Sequence, residues 1–176
     1  MSDAADWLPP LILLAEHDGK WQRYIDSVYD AFRKDFIDSV PMFEGKAVLC
    51  RKDPIYDGKK AGFWHCVSEG KTENDRTPDL RRCERIGWVR AILEHATEPG
   101  IDIWENERQG ERRKLIWFRE EFLIVLALRP GKRGGSTYYQ FLTAYRTMEE
   151  HRKWRLRKER DAYRATTAKK LTPPPS

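Results

Sequence analysis

The chain has little of what usually marks a class. It has three cysteines in 176 residues, Cys50, Cys66 and Cys83. The count is odd, no CxxC pair occurs and no signal peptide is evident. This speaks against a disulfide framework or a zinc ribbon and predicts reduced thiols in a cytoplasmic protein. The one apolar run near the start, residues 8–15, is broken by Pro9 and Pro10. It is too short to span a bilayer, and Asp3 and Asp6 precede it where a leader would be basic, so no membrane partner is expected. No internal repeat occurs, and low complexity is confined to 172–176. A GxxxxGK[ST] loop, GxGxxG after a strand, HExxH and GxSxG are all missing, which sets aside phosphate-loop, dinucleotide, zinc-protease and serine-hydrolase chemistry. Asp102, Glu105 and Glu107 lie close in sequence, but nothing places them around a metal. A Cys50, Cys66 and His65 ligand cluster is equally unsupported. Neither a metal nor a cofactor is expected.

What is present is charge and a core. Hydrophobic residues make up 40% of the chain and charged residues 35%, enough apolar surface for one domain with tails. The net charge is +5 and the pI near 9.1. A modest basic excess draws phosphates without dictating a fold, so its location matters more than its size.

Apolar positions Trp21, Tyr24, Ile25, Val28, Phe32 and Phe36 recur at helical spacing and predict a helix over 20–37, with Asp18 as its cap. A strand is expected over 46–51, then a loop at Asp53-Pro54 and Asp57-Gly58. The aromatic and β-branched stretch 61–68 reads as a second strand. Thr77-Pro78-Asp79 signals a helix start, with Pro78 at the first helical position and a buried stripe of Leu80, Cys83, Ile86, Val89, Leu93 and Ala96. Past Gly100 the period becomes strand-like: a hairpin from 101–105 and 114–118, an apolar strand over 122–128, a glycine-rich basic loop at 129–135 and a last strand over 137–145. A highly charged helix follows Met148. The expected class is α+β, with N-terminal helices packed on a small antiparallel sheet and a basic C-terminal helix. The expected organisation is an N-terminal segment (1–17), one domain (18–147), the basic helix (148–166) and a disordered tail (167–176).

Strand alternation puts Tyr139, Phe141, Thr143 and Tyr145 on one face, apolar at one end and hydroxyl-bearing at the other; strand propensity alone explains that pattern equally well. His65, in Phe63-Trp64-His65-Cys66, is either a buried histidine bonded to backbone or a general acid–base, since imidazole titrates near neutrality. Arg81, Arg82 and Arg85 share a helix face, and guanidinium suits phosphate because it is planar, bidentate and always charged. A solvated face is the plain alternative. Arg76, Arg129, Lys132 and Arg133 would join a basic groove if the fold gathers them. The last helix carries Arg152 and Arg155 amid an excess of positive charge, with Arg155 and Glu159 spaced to pair, and few apolar positions (Trp154, Leu156, Tyr163). It reads as a weakly docked appendage or a nucleic-acid contact.

The order of these elements resembles small phage- and plasmid-type nuclease domains of the barnase–EndoU–colicin–RelE group. The residues that carry the likeness are Phe63-Trp64-His65, the arginine-rich run 79–86, a hairpin holding Trp104 and Trp117, the apolar strand from Phe122 and the closing Leu142-Thr143-Ala144-Tyr145. The likeness covers about half of the chain. It implies metal-independent cleavage of RNA. His65 would deprotonate the ribose 2′-OH to give a 2′,3′-cyclic phosphate, and Arg81, Arg82 or Arg85 would stabilise the transition state. Thr143 and Tyr145 would hold the phosphate, or Tyr145 would stack a base. The chain lacks a second histidine or glutamate placed as the leaving-group acid. RNA is the expected partner, with DNA a competing ligand and a cognate protein inhibitor a further one. The rival reading is a non-catalytic nucleic-acid- or protein-binding module on a nuclease-like fold, because function resides in the site and not in the fold.

Overall fold

A computed structural model describes residues 5–70, 72 and 75–172. The first helix, α1 (Trp21–Phe36), buries Tyr24, Ile25, Val28, Phe32 and Phe36, the stripe read from spacing. Lys20 is its N-cap. Asp18 instead closes a preceding 3-10 turn, Leu14–His17, at φ 53°, a conformation Asp tolerates better than most residues. Two short hairpins follow, β1 (Met42–Phe43) with β2 (Lys46–Leu49) and β3 (Ile55–Tyr56) with β4 (Lys59–Lys60). Asp57 and Gly58, both at positive φ, turn the second one, as two-residue hairpins require.

The stretch expected as a strand over 61–68 is a helix, α2 (Ala61–Val67). Its aromatic composition favours a strand, but Phe63, Cys66 and Val67 are buried at spacings of three and four, a helical face. Gly62 permits the packing: a Cβ there would stand 2.4 Å from the Arg51 carbonyl oxygen.

A small ladder of β5 (Ser68–Glu69) and β6 (Thr77–Pro78) comes next, so Pro78 sits in a strand and not at a helix start. Asp79 caps α3 (Leu80–Glu84), accepting from the backbone N–H of Arg81 at 2.7 Å and of Arg82 at 3.3 Å. The single helix expected here breaks at Arg85 (φ −111°, ψ 16°), and α4 (Ile86–Glu94) restarts it. Cys83, Ile86, Val89 and Leu93 are buried as predicted, whereas Leu80 is exposed.

Four long strands complete the sheet: β7 (Ile101–Arg108), β8 (Glu111–Phe118), β9 (Phe122–Arg129) and β10 (Tyr138–Arg146). The spatial order is β1-β2-β10-β9-β8-β7, with β10 parallel to β2 and every other neighbour antiparallel. The class is α+β, but the sheet has six strands and is mixed, not small and purely antiparallel. Its apolar strands serve two layers. Ile116, Phe118, Phe122, Ile124 and Leu126 face α1, α2 and α4, while Leu115, Trp117, Leu123 and Val125 face the other side with Trp104. That double coverage explains the unbroken apolar run of β9.

The last helix, α5 (Glu150–Leu171), covers that second side with Leu156 and Tyr163. It runs through 167–171, part of the stretch expected as tail; residues 173–176 lie outside the described residues. The N-terminal segment packs on the domain. Ile12 N–H bonds to the Glu84 carbonyl at 3.0 Å, and Trp88 Nε1–H to the Pro9 carbonyl at 3.0 Å. Among the described residues no helix is long and apolar enough to cross a membrane.

Candidate nucleic-acid interface

Ion pairs to the sheet fix α5 in place. Arg160 reaches Asp102 at 2.6 Å, Arg157 reaches Glu120 at 2.5 Å, and Arg164 also bonds Asp102. Glu159 does not pair with Arg155; it accepts from Trp104 Nε1–H at 2.7 Å and Asn106 Nδ2–H at 2.9 Å. Asp102 therefore anchors a helix, and among the described residues no cluster of His, Cys, Asp and Glu could hold a metal. The arginines at 157, 160 and 164 take the sheet-facing side. Arg152 is left over the Tyr145 ring, 4.8 Å from its centroid.

Tyr145 owes its position to a bulge. The register of β10 on β9 shifts between Phe141 and Thr143. Tyr139 and Phe141 enter the helix-side core, and beyond the bulge Ala144 replaces them there. Leu142 and Tyr145 pack toward α5. The continuous face Tyr139-Phe141-Thr143-Tyr145 therefore does not exist, because the extra residue switches sides. Strand β2 pairs with β10 only as far as Gln140, and α2 and α3 flank β10 beyond it. Arg82 reaches Thr143 from α3.

The arginines divide into two sets. Arg82 Nη1–H donates to the Ser68 carbonyl at 3.2 Å and to Thr143 Oγ1 at 3.3 Å, and its guanidinium lies 5.5 Å from the Tyr145 centroid. Glu69 and Asp79 are at 3.7 and 3.8 Å. Arg85 is buried, bonded to Glu84 at 2.7 Å and to the Arg81 carbonyl at 3.2 Å, and stacked on Trp88. These two are tied into the structure. The guanidiniums of Arg81 and Arg146, by contrast, have no hydrogen bond or ion pair among the described residues. Burial, then the like charges of Arg85 and Arg81, hold the Arg146 guanidinium below its ordinary value, with Glu121 and Glu84 offsetting only part. Arg81, Arg146, Arg152 and Tyr145 line one groove of about 280 Å³, together with Arg82, Met148, Glu69 and Asp79.

His65 is elsewhere. It is half-buried on α2 and lines a neighbouring cavity of about 440 Å³ with Trp21, Tyr56, Trp64 and Arg76. Arg76 Nη1–H points to the Ser68 carbonyl at 3.4 Å, the same oxygen that Arg82 uses, so one carbonyl links an arginine of the cavity to an arginine of the groove. Arg155 lines a third cavity, on the far side of Tyr145 and Arg152. Arg129, Lys132 and Arg133 do not join. Tyr138, at the start of β10, pairs with Arg129, which places that loop roughly 20–25 Å from Tyr145 at ~3.3 Å per strand residue. Arg129 is bound to Glu111 at 2.5 Å and to Gln140 at 2.7 Å. The groove residue missed in the sequence is Arg146. Its signal was available, since it directly follows Tyr145 at the end of the last strand.

The thiols take no part in the groove. Burial pushes the Cys66 thiol up, and the adjacent Cys50 adds to the effect. No family model, curated protein or solved structure matches the chain.

Proposed function

We propose that the protein binds single-stranded RNA in the groove between α3 and α5, its backbone on Arg81, Arg146 and Arg152 and a base against Tyr145. The observation that carries this is the unpaired state of Arg81 and Arg146 beside Arg152. Three guanidiniums converge on one groove, one of them half-buried between like charges that Glu121 and Glu84 offset only in part, while Glu69 and Asp79 lie by Arg82 and Glu84 is bonded to Arg85. Such an arrangement is relieved by an anion, and phosphate fits a guanidinium bidentately. A tyrosine among the cations adds a stacking surface, the combination that suits a single strand. The resemblance of the chain to RNA-cleaving domains favours RNA over DNA.

Labelled single-stranded RNA titrated by fluorescence anisotropy tests this. The wild type is expected to bind, and Arg81→Gln/Arg146→Gln/Arg152→Gln to bind roughly tenfold more weakly or worse. Equal binding by both would overturn the assignment; a DNA oligomer of the same sequence is the comparison ligand.

Cleavage is a second reading, favoured by one observation: His65 and Arg76 line one cavity, and Arg76 shares the Ser68 carbonyl with Arg82 of the groove. In that reading His65 takes the 2′-OH proton and Arg76 faces the phosphate. Cellular RNA incubated in EDTA with wild type and His65→Ala distinguishes the two readings. Cyclic-phosphate ends from the wild type alone support cleavage, and intact RNA in both samples leaves binding as the function.

A further inference from the structure

The basic loop after β9 stands too far from the groove to join it, yet it walls a trough of its own. The trough holds about 750 Å³ and runs over β2 and the first residues of β10. Its cations are Lys46, Arg51, Lys52 and Lys132, and none of its lining residues is acidic. Arg51 donates to the Asp53 carbonyl at 3.0 Å. Lys46, Lys52 and Lys132 hold no hydrogen bond or ion pair among the described residues. Elsewhere on the sheet cations are met: Lys114 lies 3.0 Å from Glu44 and 2.9 Å from Glu105, and Arg129 lies 2.5 Å from Glu111. Acids and bases are nearly balanced over the chain, 28 against 33, so a cationic trough without a carboxylate is a local feature and not the average surface.

The floor of the trough belongs to the same sheet face as Tyr145. Val48 and Tyr139 pair in register and both enter the helix-side core. Strand residues alternate, so Ala47, Leu49, Tyr138 and Gln140 face the opposite way and line the trough. That is the side on which Leu142 and Tyr145 pack toward α5. The helix lies over β7, β8 and β9 and leaves the β2 end of this face half-exposed. Between the two ends is the cavity of about 250 Å³ that shares Tyr145 and Arg152 with the groove. Arg113 in its wall is in register with Gln140 of the trough, through Ala127 of β9. Arg108 and Arg155 also line it, exposed and without an ion pair among the described residues. One face of β10 thus joins groove to trough, with Tyr145 and Tyr138 roughly 20–25 Å apart at ~3.3 Å per strand residue.

We infer that the trough is a second contact for the same ligand: single-stranded RNA leaves the groove past Tyr145, follows β10 and sets its phosphates on Lys46, Lys52 and Lys132 with a base against Tyr138. The inference rests on the RNA-binding reading above and deepens it, since the ligand becomes a strand long enough to span both ends. An apolar floor with a tyrosine, rimmed by unpaired cations, offers stacking and charge together, as single strands require. Two modest contacts on one strand reinforce each other, because the second is made at high effective concentration.

Anisotropy on the full chain with labelled oligouridylates of about 4 and about 12 nucleotides tests this. Lys46→Gln/Lys52→Gln/Lys132→Gln is expected to bind the longer oligomer roughly tenfold more weakly than the wild type does. The shorter one, held by the groove alone, is expected within about twofold of wild type. An unchanged affinity for the longer oligomer would overturn the second contact while leaving the groove in place. An equal loss for both lengths would also overturn it, since a general field and not a second contact would then be at work. Weaker binding of oligoglutamate but not of the longer RNA would give the trough to an acidic polypeptide and overturn the proposal as well. Binding of neither RNA by the wild type would remove the RNA reading and the second contact together.

Discussion

Arg82 and Arg81 are neighbours in sequence with opposite fates, and substituting each by methionine separates a structural arginine from a ligand-facing one. Arg82 has a side chain only 15% exposed and joins β5 to β10 by its bonds to the Ser68 carbonyl and Thr143 Oγ1. Methionine keeps much of the packing but removes both bonds and the nearby charge for Glu69 and Asp79. Each hydrogen bond from a charged donor is worth about 1.5–3 kcal/mol, though Arg76 still approaches the Ser68 carbonyl and recovers part of the loss. The net expectation is a destabilisation of about 2–4 kcal/mol, or roughly 4–16 °C in Tm for a chain of this size. Arg81 is exposed and its guanidinium bonds nothing among the described residues, so Arg81→Met, which keeps its backbone bonds to Asp79 and Arg85, is expected within about 0.5 kcal/mol of wild type. Urea unfolding followed by tryptophan fluorescence measures both. A wild-type-like Arg82→Met, or an Arg81→Met equally destabilised, would refute the division of the arginines on which the groove depends.

Two further predictions concern packing and pH. The Arg157 guanidinium bonded to Glu120 holds that carboxyl below the ordinary glutamate value, so the pair stabilises α5 fully above about pH 4.3 and loses this as pH falls through the folded value. Hydrogen exchange in α5 is expected to quicken, relative to β9, on acidification below about pH 4.3, and an unchanged ratio would contradict this role. Gly62→Ala places a methyl 2.4 Å from the Arg51 carbonyl oxygen, so α2 must move. The expected cost is about 1–3 kcal/mol in thermal unfolding, and no loss would mean that α2 sits less tightly than described.

Much of the fold was legible because burial and periodicity agree. The stripe of α1, the hairpin of β7 and β8, and the two-sided run Phe122–Arg129 all follow from spacing. The stretch 61–68 was misread because Phe63, Trp64 and Val67 are residues that favour strands, while the helical period is expressed in only seven residues. The bulge in β10 leaves no mark in the local sequence, since Leu142 fits either face. Of the site, the Arg81–Tyr145–Arg152 convergence was only partly visible. Each residue stood out alone, but which arginines are consumed internally depends on Ser68, Thr143 and Glu84 meeting them in space. The docking of α5 was hidden for the same reason: nine lysines and arginines against three carboxylates suggest a free helix until Asp102 and Glu120 are seen beneath it.

The measurement that tests the central claim most directly is the salt dependence of RNA binding. Each single-strand phosphate neutralised contributes about 0.7 to the slope of log affinity against log salt. Wild type is therefore expected to bind single-stranded RNA with a slope steeper by about 2 than that of the Arg81→Gln/Arg146→Gln/Arg152→Gln variant. Parallel slopes, or no binding by the wild type at roughly 50 mM salt, would contradict a phosphate-binding groove between α3 and α5.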